Sequence, residues 1–242
     1  PVDVVLVNWN GRHHLARCLP ALAAQSYRSL RVLVADNASS DGSAAWLRSE
    51  WPQVTVVETG ANLGFAGGNN AAIAVGDAPW VALINADAEP EPGWLAALVS
   101  AGAAAPRVGA VASAMVFADD PDMVNSAGIA LDPTGIAWDR LGGAPASAAA
   151  APARVFGASA GAALYRRAAL DDVAAIHGGE VFDPRFFMYL EDVDLAWRLR
   201  LAGWDAVYAP AARVRHAGSA TAGEGSPFKN RLLARNKVWT VA

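Results

Sequence analysis

The segment VDVVLVNWNGRHHLARCLPALAAQSYRSLRVLVADN, residues 2–37, has the pattern of a strand, a helix and a second strand. Residues 4–8 form a short β-branched run that is apolar on both faces, as is typical of a buried parallel strand. Leucines then recur at helical spacing within residues 12–25, and residues 31–36 repeat the apolar run. Units of this kind build parallel sheets, because their right-handed crossovers place helices on both faces.

The same alternation continues to residue 117 and then changes. Later strands are predicted at residues 54–58, 80–85 and 108–117, and helices at 41–50, 67–75 and 92–102. Residues 118–153 are rich in glycine, proline, aspartate and alanine, which predicts a hairpin-like insertion and a flexible loop. Beyond this segment, strands are expected at 155–159, 162–166 and 206–208, and a helix at 191–202. The expected fold is therefore α/β, with a Rossmann-like, mostly parallel central sheet flanked by helices.

The composition of the 242 residues excludes several classes of protein. A hydrophobic content of 54% with a net charge of only −4 excludes intrinsic disorder. The isoelectric point near 5.5 argues against a nucleic-acid partner. The single cysteine, Cys18, excludes a disulfide framework and a cysteine zinc site, and it fits a reducing compartment. Since the chain shows neither a basic leader nor about 18 continuous apolar residues, we expect a cytoplasmic protein.

The C-terminal segment, residues 225–242, is basic in an otherwise acidic chain. It contains no acidic residue, and its basic residues are Lys229, Arg231, Arg235 and Lys237. Such a segment favours contact with an anionic partner, for example the inner face of a membrane. A solvated helix face would have the same composition, so both interpretations remain open.

Polar residues cluster where the predicted strands end. In an open parallel sheet, ligands bind at the carboxyl ends of the strands. Each of these turns alone could be an ordinary turn or cap, but four turns at one edge favour a ligand site. Neither the turn after the first predicted strand nor the glycine-rich residues 62–70 have the GxGxxG pattern of a dinucleotide site, and the sequence has no Walker loop. The candidate residues at this edge are Asn8, Asn10, Asp36, Asn69, Asn85 and Asp87.

Asp87 is the sharpest candidate for a metal ligand. It follows an apolar strand, so its carboxylate would be displayed at the sheet edge. Mg²⁺ and Mn²⁺ prefer oxygen ligands, usually one or two carboxylates together with phosphates of a substrate. His216 follows a strand-like segment and is a plausible second ligand, since imidazole suits Mn²⁺.

Three acidic residues, Glu191, Asp192 and Asp194, open the helix predicted at 191–202. The helix dipole favours acids at this end, so helix capping alone could account for them. However, residues 186–190 directly before them are largely aromatic. An apolar wall of this kind is the setting in which a carboxylate can serve as a general base.

Taken together, these features resemble the family 2 glycosyltransferases of the GT-A fold, a group of inverting, nucleotide-sugar-dependent enzymes. The greatest similarity is to bacterial rhamnosyltransferase-type members. The resemblance covers almost the whole chain, and it depends on the order of the motifs rather than on any one of them. The motifs are VLVNWNG at 5–11, VADNASSDG at 34–42, NLGFAGGNN at 62–70, LINAD at 83–87 and FFMYLEDVDLAWR at 186–198, followed by His216 and Arg235-Asn236.

The resemblance implies roles for individual residues. Asp87 occupies the last position of the family's metal-binding DxD-type motif, whose first position is Asn85 here, and His216 is the later metal ligand. Asp192 matches the catalytic base, with Glu191 beside it. Contacts with the nucleotide sugar would come from the strand-end residues Asn8, Asn10, Asp36, Asn69, Asn85 and Asp87, and contacts with an acceptor diphosphate from Arg235 and Asn236.

The resemblance also implies a division of the single domain, residues 1–242. Residues 1–117 would be the nucleotide-binding half, 118–153 the insertion or flexible loop, and 154–242 the acceptor and catalytic half with its basic end. The implied cofactor is a divalent cation, Mn²⁺ or Mg²⁺.

The implied reaction transfers rhamnose from dTDP-rhamnose to a glycan or a polyprenyl-diphosphate-linked acceptor, in cell-envelope polysaccharide synthesis at the inner face of the membrane. A UDP-hexose transferase and a non-catalytic nucleotide-sugar-binding partner subunit are the alternatives. A nucleotidyltransferase is disfavoured, because the turn after the first strand lacks the basic glycine-rich loop that grips a triphosphate.

Overall fold

Strands and helices alternate through most of the chain. The computed structural model describes residues 1–217 and 225–241. Their strands are β1 (Val2–Asn8), β2 (Leu30–Asp36), β3 (Thr55–Glu58), β4 (Trp80–Ile84), β5 (Ala88–Pro90), β6 (Val108–Phe117), β7 (Val124–Ser126), β8 (Ile129–Leu131), β9 (Ala137–Asp139), β10 (Ala153–Val155), β11 (Ala162–Arg166) and β12 (Asp205–His216). Their helices are α1 (Arg12–Ala23), α2 (Ser43–Glu50), α3 (Gly64–Val75), α4 (Trp94–Ala103), α5 (Arg167–Ala175), α6 (Glu191–Leu201) and α7 (Pro227–Val241).

Ten of these strands form one sheet. Its order is β10-β12-β6-β11-β4-β1-β2-β3, with β5 paired to β12 and β7 paired to β6. The strands β4, β1, β2 and β3 run parallel to one another, and β12 runs parallel to β6. Between these two groups, β11 lies antiparallel to both β4 and β6. The predicted α/β class, with a mostly parallel sheet flanked by helices, is confirmed.

Both faces of the parallel strands are buried, which explains their continuous apolar runs. Val5 of β1 lies in a core cluster with residues of α3, α5 and α6. Its neighbours Val4 and Leu6 lie in a second cluster with residues of α1, α2 and α4. Successive side chains of a strand point to opposite faces, so a strand covered on both sides needs apolar residues at every position. The sheet is therefore the middle of three layers, and the polar residues gather at the strand ends.

The insertion at residues 118–153 contains regular elements. β7 extends the main sheet beside β6, and β8 and β9 form a separate two-stranded hairpin, in agreement with the hairpin prediction. The alanine-rich stretch that follows also has secondary structure, namely a 3₁₀ helix at Ala146–Ala149 and the strand β10. This segment thus packs against the sheet through β7 and β10.

Several element boundaries differ from the predictions. The strand predicted at residues 155–159 is wrong, because the pairing with β12 covers Ala153–Val155 instead. The helix α5 has no counterpart among the predicted elements. The strand predicted at 206–208 is the first part of the longer β12, whose register shifts between Ala209 and Arg213. A bulge of this kind interrupts the alternation of side chains, and so it hides the continuity of the strand in the sequence.

Helix α7 packs beside α6 and exposes an apolar and basic face. Leu232 and Asn236 are buried beneath it, whereas Phe228, Val238 and Trp239 are large apolar side chains left exposed. No helix in residues 1–217 and 225–241 is long and apolar enough to cross a membrane.

Gly64 offers a test of how tightly the segment before α6 packs against α3. Its φ is +70°, and a Cβ atom there would lie 2.4 Å from the carbonyl oxygen of Phe187. Gly60 has a similar φ of +75° but no atom within 4 Å of its would-be Cβ. We expect Gly60→Ala to lower the free energy of unfolding by about 1 kcal/mol for the backbone conformation alone. Gly64→Ala should lower it by about 3 kcal/mol, because overpacking adds to the same backbone cost.

Urea denaturation of the two variants measures this difference, and Gly60→Ala is the control for the shared backbone conformation. Equal losses of stability in both variants would show that the contact between Gly64 and Phe187 is loose.

Candidate active site

The ends of β1 and β2 are joined by a buried hydrogen-bond network. Asn8 Nδ2 donates to Asp36 Oδ1 at 2.8 Å and to Ser39 Oγ at 3.1 Å. The other carboxylate oxygen, Asp36 Oδ2, accepts from the Ser39 N–H at 3.0 Å. Asn10 is exposed above this network, and its Oδ1 accepts from the Ser40 N–H at 2.7 Å. Asn8 and Asp36 thus shape the two loops at the sheet edge, and Asn10 stands on the surface that they build.

The glycine-rich segment lies against the same edge. Asn37, which sequence reasoning did not select, is buried, and its Nδ2 donates to the Gly64 carbonyl oxygen at 2.8 Å. A Cβ at Gly68 would lie 2.8 Å from Val7 Cγ1, so only glycine lets α3 approach β1 this closely. Asn69 is buried within α3, and its Nδ2 donates to the Phe65 carbonyl oxygen at 2.9 Å. The structure therefore places Asn69 beneath the edge rather than on it.

Asn85, Asp87 and His216 meet beyond β4, although they are distant in the sequence. The pairing of β12 with β5 sets His216 opposite Ala88, next to Asp87. His216 Nε2 lies 3.3 Å from Asp87 Oδ1 and 3.2 Å from Asn85 Nδ2. The side chains of Asp87 and His216 are each only 12% exposed. The two predicted metal ligands are thus adjacent and largely shielded from water.

Asn125 orients His216 from the opposite side of the ring. Its Oδ1 lies 3.0 Å from His216 Nδ1, a contact that stabilises the tautomer protonated at Nδ1. That tautomer leaves the lone pair of Nε2 beside the Asp87 carboxylate. A backbone or side-chain oxygen on the far nitrogen is the usual support of a metal-binding histidine. Burial raises the pKa of Asp87, but when His216 is protonated on both nitrogens its hydrogen bond and charge, together with the charge of His14, hold that pKa below its ordinary value.

A divalent cation fits this donor set. Carboxylate and imidazole together suit Mn²⁺, and Mg²⁺ accepts one or two carboxylates when substrate phosphates complete its shell. The part of the chain that the structure describes contains no group of three or more His, Cys, Asp or Glu residues placed to hold a metal. Asp87 and His216 would therefore supply two ligands, and the remaining ligands would be oxygens of another molecule or of water.

Asp192 lies in the first turn of α6 and accepts two backbone hydrogen bonds. Ala160 N–H donates to its Oδ2 at 3.1 Å, and Val193 N–H donates to its Oδ1 at 2.9 Å. Burial raises the pKa of Asp192 to about 6, and the charge of Asp139 adds to that rise, while the bond from Ala160 opposes it. A carboxylate with a pKa near neutrality can accept a proton from a hydroxyl and release it afterwards.

Glu191 differs from its neighbour. Its side chain is buried, and its Oε2 has no hydrogen-bond partner among the residues described. Burial, together with the charge of Asp192, raises the pKa of Glu191 well above its ordinary value. The raised pKa favours the neutral form of Glu191, whereas two backbone N–H groups favour the charged form of Asp192, so Asp192 is the carboxylate of the pair that can act as a base.

The turn at Ala160 and Gly161 connects these two parts of the site. Ala160 holds Asp192 as described above, and the Gly161 carbonyl oxygen accepts from the Asn85 N–H at 2.9 Å. A Cβ at Gly161 would lie 3.1 Å from Met115 Cε and 3.4 Å from Asn85 Nδ2, so the approach is close. Consecutive residues thus set the position of Asp192 relative to the Asn85–Asp87 segment.

Two residues of the site come from the insertion and were not predicted. Asn125 lies on β7, and Asp139 ends β9. Desolvation raises the pKa of Asp139, while a hydrogen bond with Ser126 and the charges of His216 and Lys229 oppose that rise. Sequence reasoning offered no signal for either residue, because single polar residues in a segment of weak periodicity look like ordinary loop residues.

Arg235 and Asn236 are consecutive residues of α7. The sequence prediction assigned both to an acceptor diphosphate. For Asn236 the structure corrects this assignment, because the side chain is 0% exposed and its amide nitrogen donates hydrogen bonds to backbone carbonyl groups. Arg235 is half-buried, and its Nη2 donates to the carbonyl oxygens of Arg185 and Phe186. Both residues thus bind the segment that leads into α6.

Comparison with known proteins is consistent with this architecture. Residues 3–174 match the model of one protein family, Glycosyl transferase family 2. The chain is 35% identical to the N-acetylglucosaminyl-diphospho-decaprenol L-rhamnosyltransferase of Mycobacterium tuberculosis, over 89% of this chain and 75% of that protein. A match of this extent shows the family.

Two solved structures share the fold. One is GalNAc-T7 with UDP, GalNAc and Mn²⁺, with a TM-score of 0.76 and 16% identity. The other is the mannosyltransferase PcManGT from Pyrobaculum calidifontis in complex with GDP-Man and Mn²⁺, with a TM-score of 0.65 and 20% identity. Each alignment covers 99% of this chain, which spans 47% of the first structure's chain and 71% of the second's. The chain therefore belongs to glycosyl transferase family 2 and is a glycosyltransferase of the GT-A fold.

Proposed function

We propose that this enzyme transfers rhamnose from dTDP-rhamnose to a hydroxyl group of a glycan or lipid-linked acceptor, with inversion at the anomeric carbon. The observation that carries the proposal is that the two-residue turn Ala160–Gly161 is hydrogen-bonded both to Asp192, a carboxylate with a pKa of about 6, and to Asn85 of the Asn85–Asp87 segment. The choice of rhamnose is supported by the mycobacterial relative, which is an N-acetylglucosaminyl-diphospho-decaprenol L-rhamnosyltransferase.

In the proposed reaction, Asp192 removes the proton from the acceptor hydroxyl. The oxygen then attacks the anomeric carbon from the face opposite the diphosphate. The bond between that carbon and the diphosphate oxygen breaks, and its electron pair leaves with the nucleoside diphosphate. One carboxylate is sufficient, because a nucleoside diphosphate is a better leaving group than the sugar alcohol for which a glycosidase needs a second carboxyl group.

Asp87 and His216 are the residues that would hold a divalent cation, Mn²⁺ or Mg²⁺. When bound, such a cation offsets negative charge that grows on the leaving diphosphate. Asn125 keeps His216 in the tautomer needed for this role. The chain itself is acidic, with a net charge of −4, so the cation would supply the positive charge that attracts an anionic donor.

Calorimetric titration with dTDP, UDP and GDP, each with Mn²⁺ and again with EDTA, tests the donor site. We expect dTDP to bind tightest and only with metal. His216→Ala should weaken this binding at least tenfold, since the loss of one of two protein ligands removes much of the metal affinity. His177→Ala is the control, because His177 pairs with Asp183 outside this site and should change the affinity less than twofold.

A sugar-transfer assay with Asp192→Asn then tests the catalytic assignment. The variant should bind dTDP as wild type does and lose at least a hundredfold in transfer rate, which is the usual contribution of a general base. Tighter binding of UDP than of dTDP would indicate a UDP-hexose donor instead of dTDP-rhamnose. Nucleotide binding without transfer by the wild-type protein would indicate a non-catalytic partner subunit.

The raised pKa of Asp192 predicts a dependence on pH. The transfer rate at saturating substrate should rise with pH up to about 6 and then level off, because the base must be ionised. Stability should change in the opposite direction. A carboxyl group whose pKa is raised from 3.8 to about 6 on folding destabilises the folded state increasingly between those two values. The free energy of unfolding of Asp192→Asn minus that of wild type should therefore increase from pH 4 to pH 7.

Asp132→Asn is the control with the opposite sign. The hydrogen bond from Thr134 lowers the pKa of Asp132, so its ionised form stabilises the folded state, and that stability is lost on acidification. Denaturation at a series of pH values from 3 to 7 compares the two variants with wild type. A difference between Asp192→Asn and wild type that stays constant with pH would contradict the raised pKa.

We also propose that α7 contacts the inner face of an anionic membrane, where a lipid-linked acceptor would be found. The exposed side chains Phe228, Val238 and Trp239 would enter the headgroup region, as aromatic and aliphatic residues of interfacial helices do. Arg231 and Lys237 are also exposed on this helix and would meet anionic lipid headgroups.

Co-sedimentation with vesicles that contain anionic lipid, compared with neutral vesicles, tests the membrane contact. Wild type should bind the anionic vesicles better, and Arg231→Glu should lower that binding at least fivefold, since each basic residue at such a surface contributes about 1 kcal/mol. Arg28→Glu is the matched control, because Arg28 is exposed just before β2 at the other end of that strand from Asp36. Equal binding by the two variants would contradict the contact.

A further inference from the structure

Helix α6, which carries Asp192, begins directly after a strained piece of backbone. We call residues 186–190 the strained turn. Within it, Phe187, Tyr189 and Leu190 have φ values of +66°, +71° and +66°. The left-handed region costs a non-glycine residue about 1–2 kcal/mol, so three such residues persist only where other contacts compensate. Leu190 is the N-cap residue of α6, so the turn also sets the start of the helix.

Asn236 supplies the largest set of these compensating contacts. Its Nδ2 lies 3.1 Å from the carbonyl oxygen of Phe186, 2.9 Å from that of Met188 and 2.7 Å from that of Tyr189. The side chain is 0% exposed, so its amide depends on protein groups such as these three carbonyl groups for its hydrogen bonds. The two amide hydrogens are shared among the three acceptors, which fixes the path of the turn rather than one residue of it.

Arg235 orients that amide group. Its Nε donates to Asn236 Oδ1 at 2.8 Å, which turns the Nδ2 end of the amide towards the strained turn. Its Nη2 donates to the carbonyl oxygens of Arg185 and Phe186, at 3.0 and 2.7 Å. The two consecutive residues of α7 thus bind four successive or nearly successive carbonyl groups before α6.

The opposite side of the strained turn rests on α3. The Phe187 carbonyl oxygen accepts from the Ala66 N–H at 3.1 Å, and Gly64 allows this close approach. The strained turn is therefore held between α7 and α3, and α3 lies against the sheet edge at the ends of β1 and β2. The chain continues from the turn directly into Glu191 and Asp192.

We infer that Asn236 is a positioning residue, which holds the strained turn so that α6 presents Asp192 to the acceptor hydroxyl in the reactive geometry. This inference rests on the proposed role of Asp192 as the base. A displacement of about 1 Å at a reacting group can cost about a hundredfold in rate, so a residue that fixes the start of α6 controls the rate without touching substrate.

Asn236→Leu removes the donors at nearly constant volume. The transfer rate kcat should fall at least tenfold. The affinity for dTDP should change less than twofold, because the sheet edge at which we propose that dTDP binds is built by β1, β2 and β4. The pH profile supplies a readout that a loss of general stability would not move. As the first turn of α6 loosens, water reaches Asp192, and the pH at which the rate levels off should fall below about 6 towards the ordinary value of an aspartate.

Asn230→Leu is the matched control on the same helix, since Asn230 is exposed and its Nδ2 donates only to the Gly225 carbonyl oxygen among the contacts described. It should retain the wild-type rate and pH profile. Circular dichroism and thermal denaturation of both variants establish that each is folded before rates are compared.

Arg235→Lys is a second variant, which keeps the positive charge and loses the forked donation to the turn. It should lower kcat about threefold or more at an unchanged KM for the acceptor. A rise in the acceptor KM alone would assign Arg235 to acceptor binding and overturn its part in holding the strained turn. If Asn236→Leu cannot be purified folded, Arg235→Lys decides the inference by the same pH profile.

A folded Asn236→Leu variant with the rate and pH profile of Asn230→Leu would overturn the inference. Asp192→Asn, assayed in parallel, separates this outcome from a failure of the proposed function. An inactive Asp192→Asn with an unaffected Asn236→Leu refutes only the positioning role. An active Asp192→Asn refutes the assignment of the base itself.

Discussion

The backbone turn at Ala160 and Gly161 is the constraint on which the site depends. One residue donates its N–H to Asp192, and the next accepts from the Asn85 N–H through its carbonyl oxygen. β11 begins immediately afterwards and lies between β4 and β6, in the middle of the sheet. Asp192 and the Asn85–Asp87 segment are thus both hydrogen-bonded to a turn that leads into a central strand of the sheet.

The adjacent acids of α6 show how the fold prepares a base. Burying two carboxyl groups side by side is unfavourable, and it is eased when one of them keeps its proton. Glu191 takes that position, with a pKa well above its ordinary value, whereas two backbone N–H groups support the charged form of Asp192. The stability lost at this site and in the strained turn is compensated elsewhere, in the two apolar layers that cover the parallel strands. Strain next to a reactive group is commonly retained where it serves function.

Contacts from beyond residue 117 complete the candidate site. Asn125 on β7 orients His216, Asp139 on β9 acts on the charge of Asp192, and Asn236 on α7 holds the turn before α6. Asn125 and Asn236 contact groups that the motifs already identify, and Asp139 acts on Asp192 through its charge. The insertion and the last helix therefore support a candidate site whose predicted reactive groups lie elsewhere.

The sequence by itself determined the class of fold, and it predicted the sheet edge of the candidate site and Asp87, Asp192 and His216 as residues of that site. Short apolar runs report burial on both faces, and parallel strands must place their carboxyl ends at one edge. Only the tertiary structure decided that β11 enters the sheet antiparallel, that Asn125 and Asp139 face the site, and that Asn236 is buried against backbone. These facts depend on pairing between distant segments, and a single polar residue carries no periodic signal of the partner it will meet.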